Sequence, residues 1–340
     1  MAAPLRKSTQ QFAIHEIPLE CDIYDTSDYP ADSPVFLFFH SGGLAGGARS
    51  VVPPWLVQVC YKRKWPLVSA SYRLLPQVDG KCLLDDARAA YQFASIFGAG
   101  TPSERPVIAG GASAGFFLAT LIAHHLTPKP VALLSITGIP TFRHPFFNSS
   151  VLIPPDPIPE ADVFRYLTEP VSTGQSPGSS DAVFDLDRLL PDGTKNPDFD
   201  AKTKINMSDY PQDPNRGILY DYWLYENQFV HLVGDADPGF DWTRDEAEKL
   251  KLSEWPITIF IQGDGDEDVR EDVCRDVARQ LGIKAIYCQA RGQGHLFERT
   301  KYLEDVITVD PQGGDAMDAV RKAVAELDNA WETELAMSRS

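Results

Sequence analysis

The stretch Pro106-Val107-Ile108-Ala109-Gly110-Gly111-Ala112-Ser113-Ala114-Gly115-Phe116-Phe117-Leu118-Ala119 decides how the rest of the chain is read. Pro106 to Gly110 has the composition of a short buried β-strand, and Phe116 to His125 that of a helix. Between them stands Gly111-Ala112-Ser113-Ala114-Gly115, a G-x-S-x-G pentapeptide. In a strand-turn-helix context this pattern is a nucleophile elbow. Its glycines and alanines allow a sharp turn, so the serine is held in a strained backbone conformation. The hydroxyl then stands at the top of a sheet, with a helix N-terminus behind it. The alternative reading is an ordinary Gly-rich loop, and the rest of the chain has to decide between them.

Working outward, continuous apolar runs recur on both sides. They are Val35 to His40, Pro66 to Tyr72, Pro106 to Ala109, Val131 to Ile136, Ile257 to Ile261 and Ala285 to Cys288. Such runs suit strands covered on both faces, the signature of a parallel sheet. Helical periodicity falls between them, over Cys82 to Phe97, Ala114 to Leu126, Asp268 to Leu281 and Ala316 to Leu335. Alternating strands and helices predict a doubly wound α/β fold. Phe12 to Tyr24 alternates apolar and polar residues and predicts a half-exposed edge hairpin. From Gly138 to about Trp255 the rhythm breaks into Pro-, Asp- and aromatic-rich sequence, and Thr173 to Ser180 reads as irregular. Tyr220 to Val230 reads as one aromatic helix. A loop-rich insertion of this length is usually functional. The expected organisation is a core of residues 1–137 and 256–340, with 138–255 inserted as a cap.

A serine hydroxyl becomes a useful nucleophile only when a base takes its proton. His295, in Gly292-Gln293-Gly294-His295-Leu296-Phe297, follows the last expected strand by a short Gly-rich loop. A carboxylate must fix the tautomer of that base. Asp264, Asp266 and Asp268 compete for this role. Asp266, at the loop apex, is the expected acid, while Asp268 reads as a helix N-cap and Asp264 as a brace of the turn. Phe39-His40-Ser41-Gly42-Gly43 ends the first core strand, where bare backbone N–H groups can receive an oxyanion. Gly42 and Gly43 are the expected donors, with Ala114 after the nucleophile as the third. His40 is expected to hold the Gly loop rather than act as base.

These motifs resemble the hormone-sensitive-lipase-like branch of the α/β hydrolases, which includes carboxylesterases and kynurenine-formamidase relatives. The branch's His-Gly-Gly-Gly stands here as His40-Ser41-Gly42-Gly43, and its Tyr-Arg-Leu-x-Pro as Tyr72-Arg73-Leu74-Leu75-Pro76. Its acidic residue opening the next helix lies in Leu84-Asp85-Asp86-Ala87, and its Gly-Asp-Ser-Ala-Gly-Gly stands as Gly111-Ala112-Ser113-Ala114-Gly115-Phe116. The order Ser113, Asp266, His295 is the chain order of that fold. The resemblance implies an α/β-hydrolase fold, a mostly parallel central sheet flanked by helices, into which the long cap read above is inserted. It implies a serine esterase with catalytic Ser113, Asp266 and His295, no cofactor and no metal. Two residues depart from the pattern: Ser41 adds a hydroxyl to the oxyanion loop, and Phe116 replaces a glycine and narrows the site. The cap, 138–255, matches nothing in the branch.

The substrate expected is a bulky hydrophobic or aromatic small-molecule ester. Candidate lining is Ser41, Phe116, Phe142, Tyr222 and Trp223, with Phe146, Phe147, Tyr220, Tyr225 and Phe229 as further aromatics. For any one of these aromatics, ordinary core packing is the competing reading. Thioester, amide or C–C cleavage and lactonisation by the same triad stay open, as does a non-catalytic ligand-binding receptor. The net charge of −17, from 48 acidic and 31 basic side chains, disfavours nucleic acid as a partner. No apolar run is long enough for a membrane span. No signal-peptide pattern is seen at the N-terminus. Five scattered cysteines read as free thiols, so a cytoplasmic location is expected.

Overall fold

The computed structural model describes residues 3–98, 104–309 and 314–338. Its strands are β1 (Arg6–His15), β2 (Ile17–Asp25), β3 (Val35–Phe39), β4 (Leu67–Ala70), β5 (Val107–Ala112), β6 (Ala132–Ile136), β7 (Ile257–Gly263) and β8 (Ala285–Ala290). They form one sheet in the order β1-β2-β4-β3-β5-β6-β7-β8. The expected edge hairpin is present: β1 pairs antiparallel with β2, and β2 antiparallel with β4. All pairings from β4 to β8 are parallel. The apolar runs have their physical reason here, because β3 to β6 are buried along their whole length.

Side chains alternate between two cores, as the two-residue period of a strand requires. Val35, Leu37 and Phe39 face one core and Phe36 and Phe38 the other. The first core is covered by α2 (Gly80–Ile96), α3 (Gly115–His125) and α6 (Glu271–Leu281). The second is covered by α1 (Pro54–Arg63) and α7 (Met317–Ser338). Helix α1 had no counterpart in the sequence reading. It opens with Pro54 in its first turn, where a missing N–H costs nothing, and Pro53-Pro54 masks it as a loop. Residues 138–255 run between β6 and β7 as short helices and turns, and add Phe142, Phe146, Trp223 and Phe229 to the first core. The expected aromatic helix is two: α4 (Ile218–Tyr225) and α5 (Phe229–Val233), separated where Asn227 takes φ 56°. Gln175–Ser176, expected to be irregular, pairs with Gly47–Ala48, just beyond the His40-Ser41-Gly42-Gly43 loop.

Below the site, the Tyr-Arg-Leu segment is anchored by a buried ion pair. Arg73 reaches Asp86 through its Nη2 at 2.8 Å, and Asp86 also accepts from the Arg73 backbone N–H at 2.9 Å. Both side chains are almost wholly buried. This saturation of the carboxylate is what makes a buried charge tolerable.

Candidate active site

Ser113 occupies the turn between β5 and α3 with φ 52°. Three backbone hydrogen bonds hold it there: its N–H donates to Ile136 O at 3.0 Å, and its carbonyl accepts from Ile139 and Phe116 at 3.0 and 3.1 Å. Gly115 is obligatory for the turn, because a Cβ there would run into the carbonyl oxygens of Phe39 and His40. The start of α3 and the end of β3 are thereby pressed together.

His295 reaches the elbow from the loop after β8. Its Nε2 lies 2.9 Å from Ser113 Oγ, and its Nδ1 lies 2.8 Å from Asp266 Oδ2. Asp266 is itself fixed: Oδ1 accepts from the Val269 N–H at 2.9 Å and Oδ2 from Gln262 Nε2 at 3.1 Å. Asp264 ties the two loops together, its Oδ1 accepting from the Gly292 N–H at 2.5 Å. Asp268 does not cap a helix, contrary to expectation. Helix α6 begins at Glu271 with Arg270 at its N-cap. Two residues of extra loop instead turn Asp268 back toward the site, where the ligand atoms of Asp266, Asp268 and His295 lie within 4.8 Å of one another. Both His295 nitrogens already have partners, so the cluster reads as a relay with a second carboxylate beside it.

Burial tends to lower the His295 pKa, but the Asp266 hydrogen bond and charge outweigh it. With Asp268 and Glu298 beyond, the net shift is upward. Burial raises the Asp268 carboxyl above its usual range. Glu298 is a group the sequence did not signal. It is fully buried, and neither carboxyl oxygen has a hydrogen-bond partner among the described residues. Burial pushes it from 4.5 to about 7. A folded-state pKa above the unfolded value means that the folded protein binds the extra proton. The stability this contributes is complete below pH 4.5 and is lost as pH rises through about 7. Glu298→Gln therefore gains melting temperature over the parent chain between pH 5 and pH 8. A constant difference across that range in thermal melts refutes the assignment.

On the other side of Ser113, Gly42 and Gly43 adopt φ 124° and 63°. The N–H groups of Gly42, Gly43 and Ala114 meet no acceptor among the described residues. His40 ends β3 with its Nδ1 2.8 Å from Ser41 O and its ring stacked on Tyr72 at 4.3 Å. Burial lowers its pKa to about 4, so it is a neutral brace of the loop.

The expected lining divides. Phe116 is fully buried and meets Phe260 edge-on at 5.9 Å. Phe142 is equally buried, stacked on Phe229 at 4.5 Å, and Trp223 meets Phe229 edge-on at 5.9 Å. Tyr222 is half-buried against the same core, and Ser41 is half-buried. Tyr220 touches both the Gly42-Gly43 loop and the loop of Asp266 and Asp268. A Cβ on Gly43 would fall 2.8 Å from its Cβ, and its hydroxyl donates to Asp268 O at 2.5 Å.

No family model matches the chain. Over 60 residues it is 37% identical to a probable carboxylesterase of Phoma sp., covering 17% of this chain and 19% of that protein. Over 101 residues it is 29% identical to an AB hydrolase superfamily protein of Schizosaccharomyces pombe, covering 28% and 29%. The matches thus span less than a third of these curated relatives. An α/β hydrolase superfamily protein from Enterococcus faecalis superposes with a TM-score of 0.62 at 17% identity, over 95% of this chain and 97% of that one. The chain has the α/β-hydrolase fold. Among the described residues, no helix is long and apolar enough to cross a membrane.

Proposed function

We propose that this α/β-hydrolase-fold chain is a carboxylic ester hydrolase that works through an acyl-enzyme on Ser113. The observation that carries the reading is the continuous hydrogen-bonded line from Ser113 Oγ through His295 to Asp266. His295 takes the hydroxyl proton as Ser113 attacks the ester carbonyl. Asp266 holds the ring in the required tautomer and stabilises the imidazolium. The N–H groups of Gly42, Gly43 and Ala114 receive the oxyanion. The leaving alcohol takes the proton from His295, and water, activated by the same base, releases the acid. The chemistry calls for no metal or cofactor. The likeness to a probable carboxylesterase supports an ester as the substrate. Residues 138–255 act as the cap, and their aromatic content favours a small hydrophobic or aromatic substrate. The described residues hold all five cysteines as free thiols, which favours a reducing, cytoplasmic setting.

The test is labelling of the full chain with a fluorophosphonate probe, read by peptide mass. Ser113 is the expected adduct site. The base acts only when neutral, so an upward shift of His295 moves the acid limb of the labelling rate above pH 6.5, the ordinary value for the group. A folded protein that resists the probe, or carries it elsewhere, removes the proposal.

A further inference from the structure

Tyr220 belongs to the inserted segment, yet it is built into the catalytic edge. Its backbone end packs on Gly43, after β3, and its hydroxyl bonds to the carbonyl of Asp268, after β7. The strand order places β5 and β6 between those two strands. Three strand spacings amount to about 14 Å, more than a tyrosine spans. The oxyanion loop and the acid loop therefore lean toward each other over the ends of β5 and β6. The Tyr220 side chain bridges what is left between them, from Gly43 to Asp268.

The ring is not free to swing aside. Its hydroxyl is tied down, its ring packs tilted against Phe229 at 5.3 Å, and Phe229 is stacked on the wholly buried Phe142. Close packing of this kind leaves no cheap rotamer change.

We propose that Tyr220 is the residue that sets the acyl length this site accepts, and that it admits only short acyl groups. The inference rests on the esterase reading above. An ester bound for attack puts its carbonyl oxygen at the Gly42 and Gly43 donors and its leaving oxygen at His295 Nε2. The acyl substituent then starts beside Gly43, where the Cβ of Tyr220 packs. A short chain stops before the ring; a longer one has to displace a residue held at both ends. The bulky part of a substrate belongs on the alcohol side.

The experiment is a series of p-nitrophenyl acetate, butyrate and octanoate, with Tyr220→Ala and Tyr220→Phe beside the parent chain. The parent is expected to turn over acetate at least tenfold better than octanoate in kcat/KM. Tyr220→Ala lowers that ratio at least tenfold, chiefly by raising kcat/KM for octanoate. Tyr220→Phe keeps the ratio, because the ring remains and only its hydroxyl is lost. A parent that prefers octanoate overturns the proposal, and so does a folded Tyr220→Ala with an unchanged ratio. If Tyr220→Ala does not fold, Tyr220→Leu makes the same comparison. A chain that takes the fluorophosphonate on Ser113 but shows a flat length profile loses this inference alone. A chain that neither labels nor cleaves any of the esters loses the esterase reading itself.

Discussion

Ser113→Ala lowers kcat for p-nitrophenyl acetate by about 10⁵–10⁶-fold, to the level left by binding and the oxyanion donors alone. The size follows from the chemistry. Without the hydroxyl no acyl-enzyme forms, and His295 and Asp266 have nothing to activate except water. The fold should survive. Ser113 holds its position through backbone bonds to Ile136, Ile139 and Phe116, and alanine keeps all three. Thermal melts close to the parent, with activity gone and the probe no longer bound, is the expected set. Retained turnover by a folded variant means that a different nucleophile does the work.

Asp266→Asn is the second large effect, a loss of about 10⁴-fold in kcat, or about 5.5 kcal/mol of transition-state stabilisation. An amide NH₂ facing Nδ1 favours the ring tautomer with its proton on the wrong nitrogen, and it removes the negative charge that stabilises the imidazolium. Asp268→Asn is the control that makes this specific. The Asp268 carboxyl lies within 4.8 Å of the other two groups but does not hydrogen-bond to His295, whose Nδ1 is committed to Asp266. Its removal is expected to cost less than tenfold. Reversed magnitudes would make Asp268 the acid of the relay.

These two carboxylates show how far the sequence could be read. The sheet was legible because strands buried on both faces must be apolar throughout, and Val35 to Phe39 and Ala132 to Ile136 are. The elbow was legible because few residue types fit so tight a turn. Asp266 and Asp268 differ by two positions and not at all in chemistry. Which one meets His295 depends on how many loop residues precede α6, a matter of backbone geometry. Glu298 and Tyr220 are harder still. A buried carboxyl without a partner resembles any surface glutamate in sequence. Tyr220 is one of several aromatics whose ranking depends on which one leans over Gly43. Helix α1 escaped notice because prolines at its start look like a loop. The inserted segment 138–255 was visible as an interruption and not as a structure, since short helices and turns carry little periodic signal.

The sheet order has a consequence in time. Ser113 directly follows the central strand β5, whereas His295, the base of the proposed relay, comes from beyond β8 at the far edge, 182 residues later. A ribosome adding about 5–20 residues per second needs roughly 10–40 s to cover that distance. Until His295 emerges, the proposed nucleophile has no proton acceptor, and the turn that holds it waits for Ile136 and Ile139. On the proposed mechanism a half-made chain therefore carries an inert hydroxyl, and hydrolytic power arrives only when the last strand docks.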